Sequence, residues 1–319
     1  MTATTTHRLE GLEPDNLLAF LALLGLLRAL ETGSPDWRPR VHWYGPPLRP
    51  VLTLAEAVTH GEIAEAAARG CAELAKDYEF DGDADLTFDK ARGRALLEKA
   101  ATPGTRARAA VLDSLFSDGA LKEDGRVLAS PLCAMFGQGH QHFLTRLSDV
   151  PRGVLPKMLA KKKPPPDLNT PSRIEEALFT PWTRRDETDS FRWDPAEDRR
   201  YALRFENPSN DAGRTVHGAN RLATIGLAAL PGAAVERRGR IRFLTIGADL
   251  NVGGGVEITW PIWENPASLA AIQALIAHPA LATMNPDRNC LARFGVIEVR
   301  RTIRISVGKF FNFTRAEAM

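Results

Sequence analysis

The sequence predicts an α+β fold: a helix-rich N-terminal region with a short strand, then a C-terminal mixed region with antiparallel strands and packed helices. Three observations lead there. The run from Leu17 to Leu27 carries no charge and is apolar on every helical face. Alanine-rich segments with apolar residues at helical spacing fill much of 53–116. Beyond residue 240, three stretches are strand-like, and the last of them alternates apolar and polar residues at a period of two.

In chain order, HRLEGL is a short extended lead-in. Asp15 or Asn16 then supplies an N-cap for the helix LLAFLALLGLLRALE, which ends near Thr32-Gly33, where glycine suits a left-handed cap. A helix apolar all round is one that other elements surround, so it is the central helix of the N-terminal region. Trp37–Tyr44 reads as a strand with Val41 and Trp43 on one face and Arg40 and His42 on the other, stopped by Pro46, Pro47 and Pro50. Helices follow at 53–75, with Gly61 an interruption, at 90–101 and at 105–116. FGQGHQHFL (136–144) is a glycine-permitted turn opening a helix, HQHFLTRLSDV.

The composition shifts between 151 and 171, where Lys161–Lys163 stand among prolines, and this predicts an exposed, stiffened basic connection. The domain organisation expected is therefore 1–150, a connection at 151–171, and a basic α+β unit at 172–319. RIEEALF is a short helix, and His217–Leu230 a helix whose small residues pack closely while Asn220 and Arg221 project elsewhere. Strands are expected at 240–246, 256–263 and 296–307, with Gly253–Gly255 as a hairpin connection. Asn265-Pro266 caps a helix over ASLAAIQALIA. In the last strand Ile297, Val299, Ile303, Ile305 and Val307 form the core face, Arg300 and Arg304 lie on the other, and Arg301 sits at a bulge.

Composition bounds the function. Of 319 residues 44% are hydrophobic and 25% charged, as in ordinary globular proteins, so disorder and fibres are excluded. Three scattered cysteines without a CxxC exclude a disulfide framework or a zinc ribbon and point to a reducing, cytoplasmic compartment. The apolar run at 17–27 is far short of the ~20 residues a membrane span needs. Residues 1–150 hold 16 Lys and Arg against 21 Asp and Glu, whereas 151–319 hold 25 against 18. A basic half on an acidic half suits one face meeting a polyanion and another meeting a partner or solvent.

The stretch from Asp189 to Pro231 concentrates that charge. It sets Arg192, Arg199, Arg200, Arg204, Arg214 and Arg221 among Phe191, Trp193, Tyr201 and Phe205. Guanidinium groups fork onto phosphates and stack on bases; equally, such arginines pair with Glu197, Asp198, Glu206 and Asp211 nearby. Asp81, Asp83 and Asp85 imitate a calcium loop, but Leu86 stands where glycine is required and Arg92 where glutamate belongs, so the segment is an acidic turn. His140 and His142 lack a third ligand, so no metal and no cofactor is expected. Glycine amides beside Gln138, His140 and Gln141 suit a phosphate, and VGKFFNFT places Lys309 and Asn312 among phenylalanines, which suits a single strand or a core.

The order GLEPDNLLAFLALLGLLRAL, FGQGHQHFL, EEALFTPW, FRWDPAEDRRYALRFENPS, GANRLATIGLAALP and RISVGKFFNFT resembles a CRISPR-associated family of the type I-G (formerly I-U) systems, a large-subunit-like component of the Cascade effector. RWDPAEDRRYAL with GANRLA is the most specific part. The resemblance implies a non-enzymatic subunit that contacts guide RNA and target DNA beside the target-adjacent motif and assists duplex opening. Its partners would be other Cascade subunits and a helicase-nuclease recruited after target binding. The chain departs from the usual large subunit in being short and in ending in strands rather than a helical bundle.

On that reading Arg184, Arg185, Arg199, Arg200, Arg214, Arg221 and Lys309 neutralise phosphates, while Gln138, His140, Gln141, Asn220 and Asn312 hydrogen-bond to backbone or bases. Two alternatives stay open. One is a metal-independent ribonuclease maturing guide RNA with His140, His142 or His217 as acid or base. The other is a structural adaptor whose acidic half docks a sister subunit.

Overall fold

The computed structural model describes residues 4–102, 104, 106–134, 142–155, 163–188, 190–197, 214–282, 285–307 and 310–319. The fold is α+β. Strand β1 (Thr5–Arg8) leads into helix α1 (Leu17–Gly33), whose start is fixed by the Asn16 side chain accepting from the amides of Leu18 (2.9 Å) and Ala19 (3.4 Å). Every residue from 17 to 27 is buried, so this helix is the centre of the molecule. Gly33 is still helical, and the C-cap is Ser34. The glycine serves close approach rather than a left-handed cap: a Cβ there would lie 2.6 Å from the Ala66 carbonyl oxygen.

Strands β2 (Arg40–Tyr44) and β3 (Arg49–Leu54) follow, and β1, β3 and β2 form an antiparallel sheet in that order. The proline cluster therefore turns the chain without ending the sheet. Pro50 has no N–H to give, but its carbonyl accepts from Leu9. Thr53 and Leu54, expected to open a helix, close β3 instead. Helix α2 (His60–Leu74) begins at a capping box between Thr59 and Glu62, and Gly61 lies in its first turn without interrupting it.

Helices α3 (Lys90–Ala100) and α4 (Arg106–Leu115) precede a hairpin of β4 (Phe116–Leu121) and β5 (Val127–Ala129). The acidic turn has a structural use. Asp81 pairs with Lys99 (2.7 Å) and Arg108 (3.3 Å), Asp83 with Arg92 (2.8 Å), and Asp85 accepts from the Phe143 amide (2.8 Å) at the start of α5 (Phe143–Arg152).

Helix α6 (Pro171–Phe179), the short pair β6 (Asp186–Glu187) and β7 (Arg214–Thr215), and helix α7 (His217–Leu227) come next. Helix α7 lies against α1 at backbone contact. A Cβ on Gly25 would be 1.8 Å from the Leu222 carbonyl oxygen, and one on Gly226 would be 2.0 Å from that of Leu21. This crossing joins the two halves of the chain, and one buried cluster runs from Leu9 to Ala316.

The remainder is a hairpin of β8 (Gly232–Arg237) and β9 (Arg240–Thr245), then β10 (Ala248–Leu250) and β11 (Val256–Trp263), helices α8 (Leu269–Ile276) and α9 (Arg288–Ala292), and β12 (Val296–Val307), β13 (Phe310–Phe313) and β14 (Glu317–Ala318). The N-cap of α8 is Ser268, not Asn265, because Ala267 is held by a backbone bridge to Val41 and the helix begins beyond it. Strands β10, β11, β12 and β13 pair in that order, with β14 also on β12.

The face of β12 is in part the reverse of that expected. Its register sets Thr302 opposite Ile258 and Arg300 opposite Trp260, whose ring stacks on Phe20 of α1. Arg300 and Thr302 therefore turn to the main core, with Thr302 fully buried, and Ile297 and Ile303 stand 43% and 37% exposed, while Val299 on the expected face is buried in a second cluster with Leu281, Leu291 and Val296. Arginine tolerates the inner face because its stem packs while its head finds a partner. Arg300 pairs with Glu298, and Arg304 donates to the Pro131 carbonyl (3.1 Å) beneath the Phe311 ring. Arg301 pairs in register with Thr259, and the bulge lies further along, between Ile262 and Trp263.

Candidate nucleic-acid interface

The arginine-rich stretch, where described, is an internal staple. Asp194 has no exposed surface and accepts from Asn16 Nδ2 (3.0 Å), Arg184 Nε (2.7 Å) and the Ala196 amide (3.0 Å). One carboxylate thereby ties the cap of α1 to a loop far along the chain. Around the start of α7 the same logic repeats. Buried Arg173 meets Asp167 (2.9 Å), Asp186 (3.1 Å) and Glu176 (3.2 Å), and Asp186 accepts from the His217 amide (2.9 Å). Phe191 and Trp193 stack on each other in the core, and the Trp193 indole donates to the Leu132 carbonyl.

The expected site residues that are described are mostly turned inward or paired. Arg221 is 4% exposed and donates to the Asn169 carbonyl (2.8 Å), and Asn220, 1% exposed, donates to Thr215 Oγ1 (2.8 Å) and the Val216 carbonyl (3.1 Å). Neither projects from the molecule, because α7 is buried along its whole length. Arg184 is committed to Asp194. Asn312 is buried and accepts from the Phe313 amide, within a phenylalanine cluster that belongs to the core. Arg185 and Arg214 are exposed but lie beside Glu176 (2.7 Å) and Glu187 (3.5 Å). Gln138, His140, Gln141, Arg199, Arg200 and Lys309 lie outside the described residues, as do residues 156–162 of the connection.

Of the acid-base candidates, His140 lies outside the described residues, His142 is exposed, and His217 is buried. Burial, then the charges of Arg221 and Arg173, push the His217 imidazole down to about 3, and its Nε2 is held by the Asn169 side chain (2.7 Å). A neutral, buried ring has no access to a substrate proton. His142 stands in left-handed conformation just before α5. Burial and the neighbouring Asp194 push the Glu197 carboxyl up to about 7, where it binds the hydroxyls of Ser190 and Thr215. Among the described residues, no group of three metal-ligating side chains occurs and no helix is long and apolar enough to cross a membrane.

An exposed cationic surface lies elsewhere, at the tip of the β8–β9 hairpin. Arg237, Arg238 and Arg240 are all exposed there, and Ile241 beside them is 47% exposed. Arg237 pairs with Asp249 (3.0 Å), and Arg238 donates to the Asn251 carbonyl, which ties the tip to the glycine loop between β10 and β11. The Arg240 side chain has no hydrogen-bonding or ionic partner among the described residues. In that loop Asn251 holds Gly254 and Gly255 by three hydrogen bonds, and Val252 stands 72% exposed.

Both turn residues, Arg238 (φ 54°) and Gly239 (φ 70°), are left-handed, as a two-residue hairpin of this twist requires. A left-handed arginine costs about 1 kcal/mol, and asparagine or glycine is the ordinary choice. The signal was present in the sequence as Glu-Arg-Arg-Gly-Arg ahead of an alternating run. No family model, curated protein or solved structure matches the chain.

Proposed function

We propose that this protein is a non-catalytic, large-subunit-like component of a type I-G CRISPR surveillance complex that contacts guide RNA and target DNA through their phosphates. The observation that carries the reading is the β8–β9 tip. Three guanidinium groups stand exposed on one turn, Arg240 has no carboxylate beside it among the described residues, and Arg238 occupies a strained position that glycine would fill without cost. The motif resemblance, RWDPAEDRRYAL with GANRLA above all, supports the same assignment, although its described side chains act in folding. In this arrangement base pairing reads sequence, and the protein grips the backbone and helps open the duplex.

The test is copurification with the products of neighbouring genes, followed by extraction of nucleic acid. A bound short RNA of defined length is expected, together with duplex binding by the assembled complex. A complex that assembles without RNA, or RNA cleavage in EDTA that His140→Ala abolishes, would contradict the proposal.

A further inference from the structure

The outer face of the β1–β3–β2 sheet holds a second constellation, at a distance in sequence from the arginine tip. Val41, Trp43, Leu52 and Leu54 turn into the core, so the residues of opposite parity form the outer face. The register sets Tyr44 beside Arg49, Val51 between His42 and Arg8, and Arg40 beside Thr53. None of these residues is buried.

Two of them are unoccupied. Tyr44 is 67% exposed, the most exposed aromatic side chain among the described large hydrophobics. Arg40 is exposed, and its side chain has no carboxylate or carbonyl partner among the described residues. They sit four residues apart on one strand and on one face, roughly 13 Å along the chain. Their neighbours fix the platform. Arg8 donates to the Tyr44 carbonyl (3.1 Å), to the Pro47 carbonyl (2.6 Å) and to Glu10 (2.6 Å), so the backbone that carries the ring is tied on both sides of the turn. Arg49 donates to the carbonyls of Glu10 and Leu48. Arg8, Arg40 and Arg49 on this face stand against two carboxylates, Glu10 beside Arg8 and Arg49 and Glu13 at 3.7 Å from Arg49, leaving one guanidinium in excess.

We infer that this face binds a single-stranded polynucleotide, with an unpaired base stacked on Tyr44 and a phosphate on Arg40. The inference rests on the proposal that the protein handles nucleic acid. A flat, accessible ring takes a base only when that base is unpaired, which selects a single strand over a duplex. A protein partner is a poorer fit, because Val51 is the one aliphatic residue of the set and an interface centre needs an apolar cluster. RNA and DNA present the same ring and phosphate to this site, and the experiment separates them.

Fluorescence anisotropy of the full chain with labelled fifteen-nucleotide oligo-U, oligo-dT and a duplex of equal length tests it. Tyr44→Ala is expected to weaken both single strands by roughly five- to a hundredfold, the range of one lost stacking contact, and Tyr44→Phe to restore binding. Arg40→Ala is expected to lower the log-log salt slope on single strands by about 0.7. Duplex affinity stays unchanged in all three. A loss with oligo-U alone places the 2′-hydroxyl in the contact and assigns the site to RNA; an equal loss with both assigns it to either strand. Wild-type binding untouched by Tyr44→Ala and Arg40→Ala overturns this site alone, whereas absence of binding to any probe by the wild type removes the proposed function with it.

Discussion

Gly226→Ala should destabilise the protein, although alanine is the better helix former by about 0.8–1.0 kcal/mol. Two effects compete. The added Cβ would sit 2.0 Å from the Leu21 carbonyl oxygen and 2.8 Å from the Gly25 amide nitrogen, both backbone atoms of the central helix. Ordinary contact would require α1 and α7 to separate by more than 1 Å, and overpacking of this kind costs typically 1–3 kcal/mol, with rigid backbone at the upper end. Clash therefore outweighs propensity, for a net loss of about 1–2 kcal/mol and a fall in melting temperature of about 1.5–3 °C in a chain of 319 residues. Gly61→Ala is the internal control, since the nearest atom to its added Cβ is a glutamate side-chain oxygen at 4.0 Å. It should be neutral or raise stability by a few tenths of a kcal/mol. Thermal melts of both variants by circular dichroism decide, and a Gly226→Ala protein as stable as wild type would refute the backbone-contact crossing.

Other consequences follow from the same interior. The Glu197 carboxyl is raised to about 7 in the fold from an ordinary 4.5. The folded state therefore holds a proton that the unfolded chain has released, and stability should fall as pH rises from about 4.5 to about 7 and level off above. Glu197→Gln should flatten that part of a melting-temperature profile, and an unchanged profile would remove the assignment. On β12, Ile303→Thr should shift stability by less than about 0.5 kcal/mol. Thr302→Val should cost about 1–2 kcal/mol, because the Thr314 carbonyl loses its donor at 2.6 Å. The opposite ranking in denaturant melts would restore the face order that alternation alone suggests.

The central helix was legible because its sequence is apolar all round, which no exposed helix tolerates. Asn16 was legible as a cap for the same local reason. The β12 face was legible only in part. Alternation marks two faces without saying which one is inside, and the choice was made by Trp260 on the neighbouring strand and by partners for Arg300 and Arg304. The arginines of the 189–231 stretch were misleading in a similar way. Residue types are visible in sequence, but Arg184 is neutralised by an aspartate whose other ligand, Asn16, lies 178 residues away. The β8–β9 tip escaped notice because its signal is five residues long and was outweighed by longer, richer segments that proved internal.

The claim that the exposed guanidinium groups of this tip hold phosphates is tested most directly by salt. Duplex affinity of wild type and of Arg237→Ala/Arg238→Gly/Arg240→Ala is measured across a series of ionic strengths. Each phosphate contact adds roughly 0.9 to the log-log slope, so the triple variant should lose about 2 to 3 while melting no lower than wild type. Equal slopes for the two proteins would contradict it.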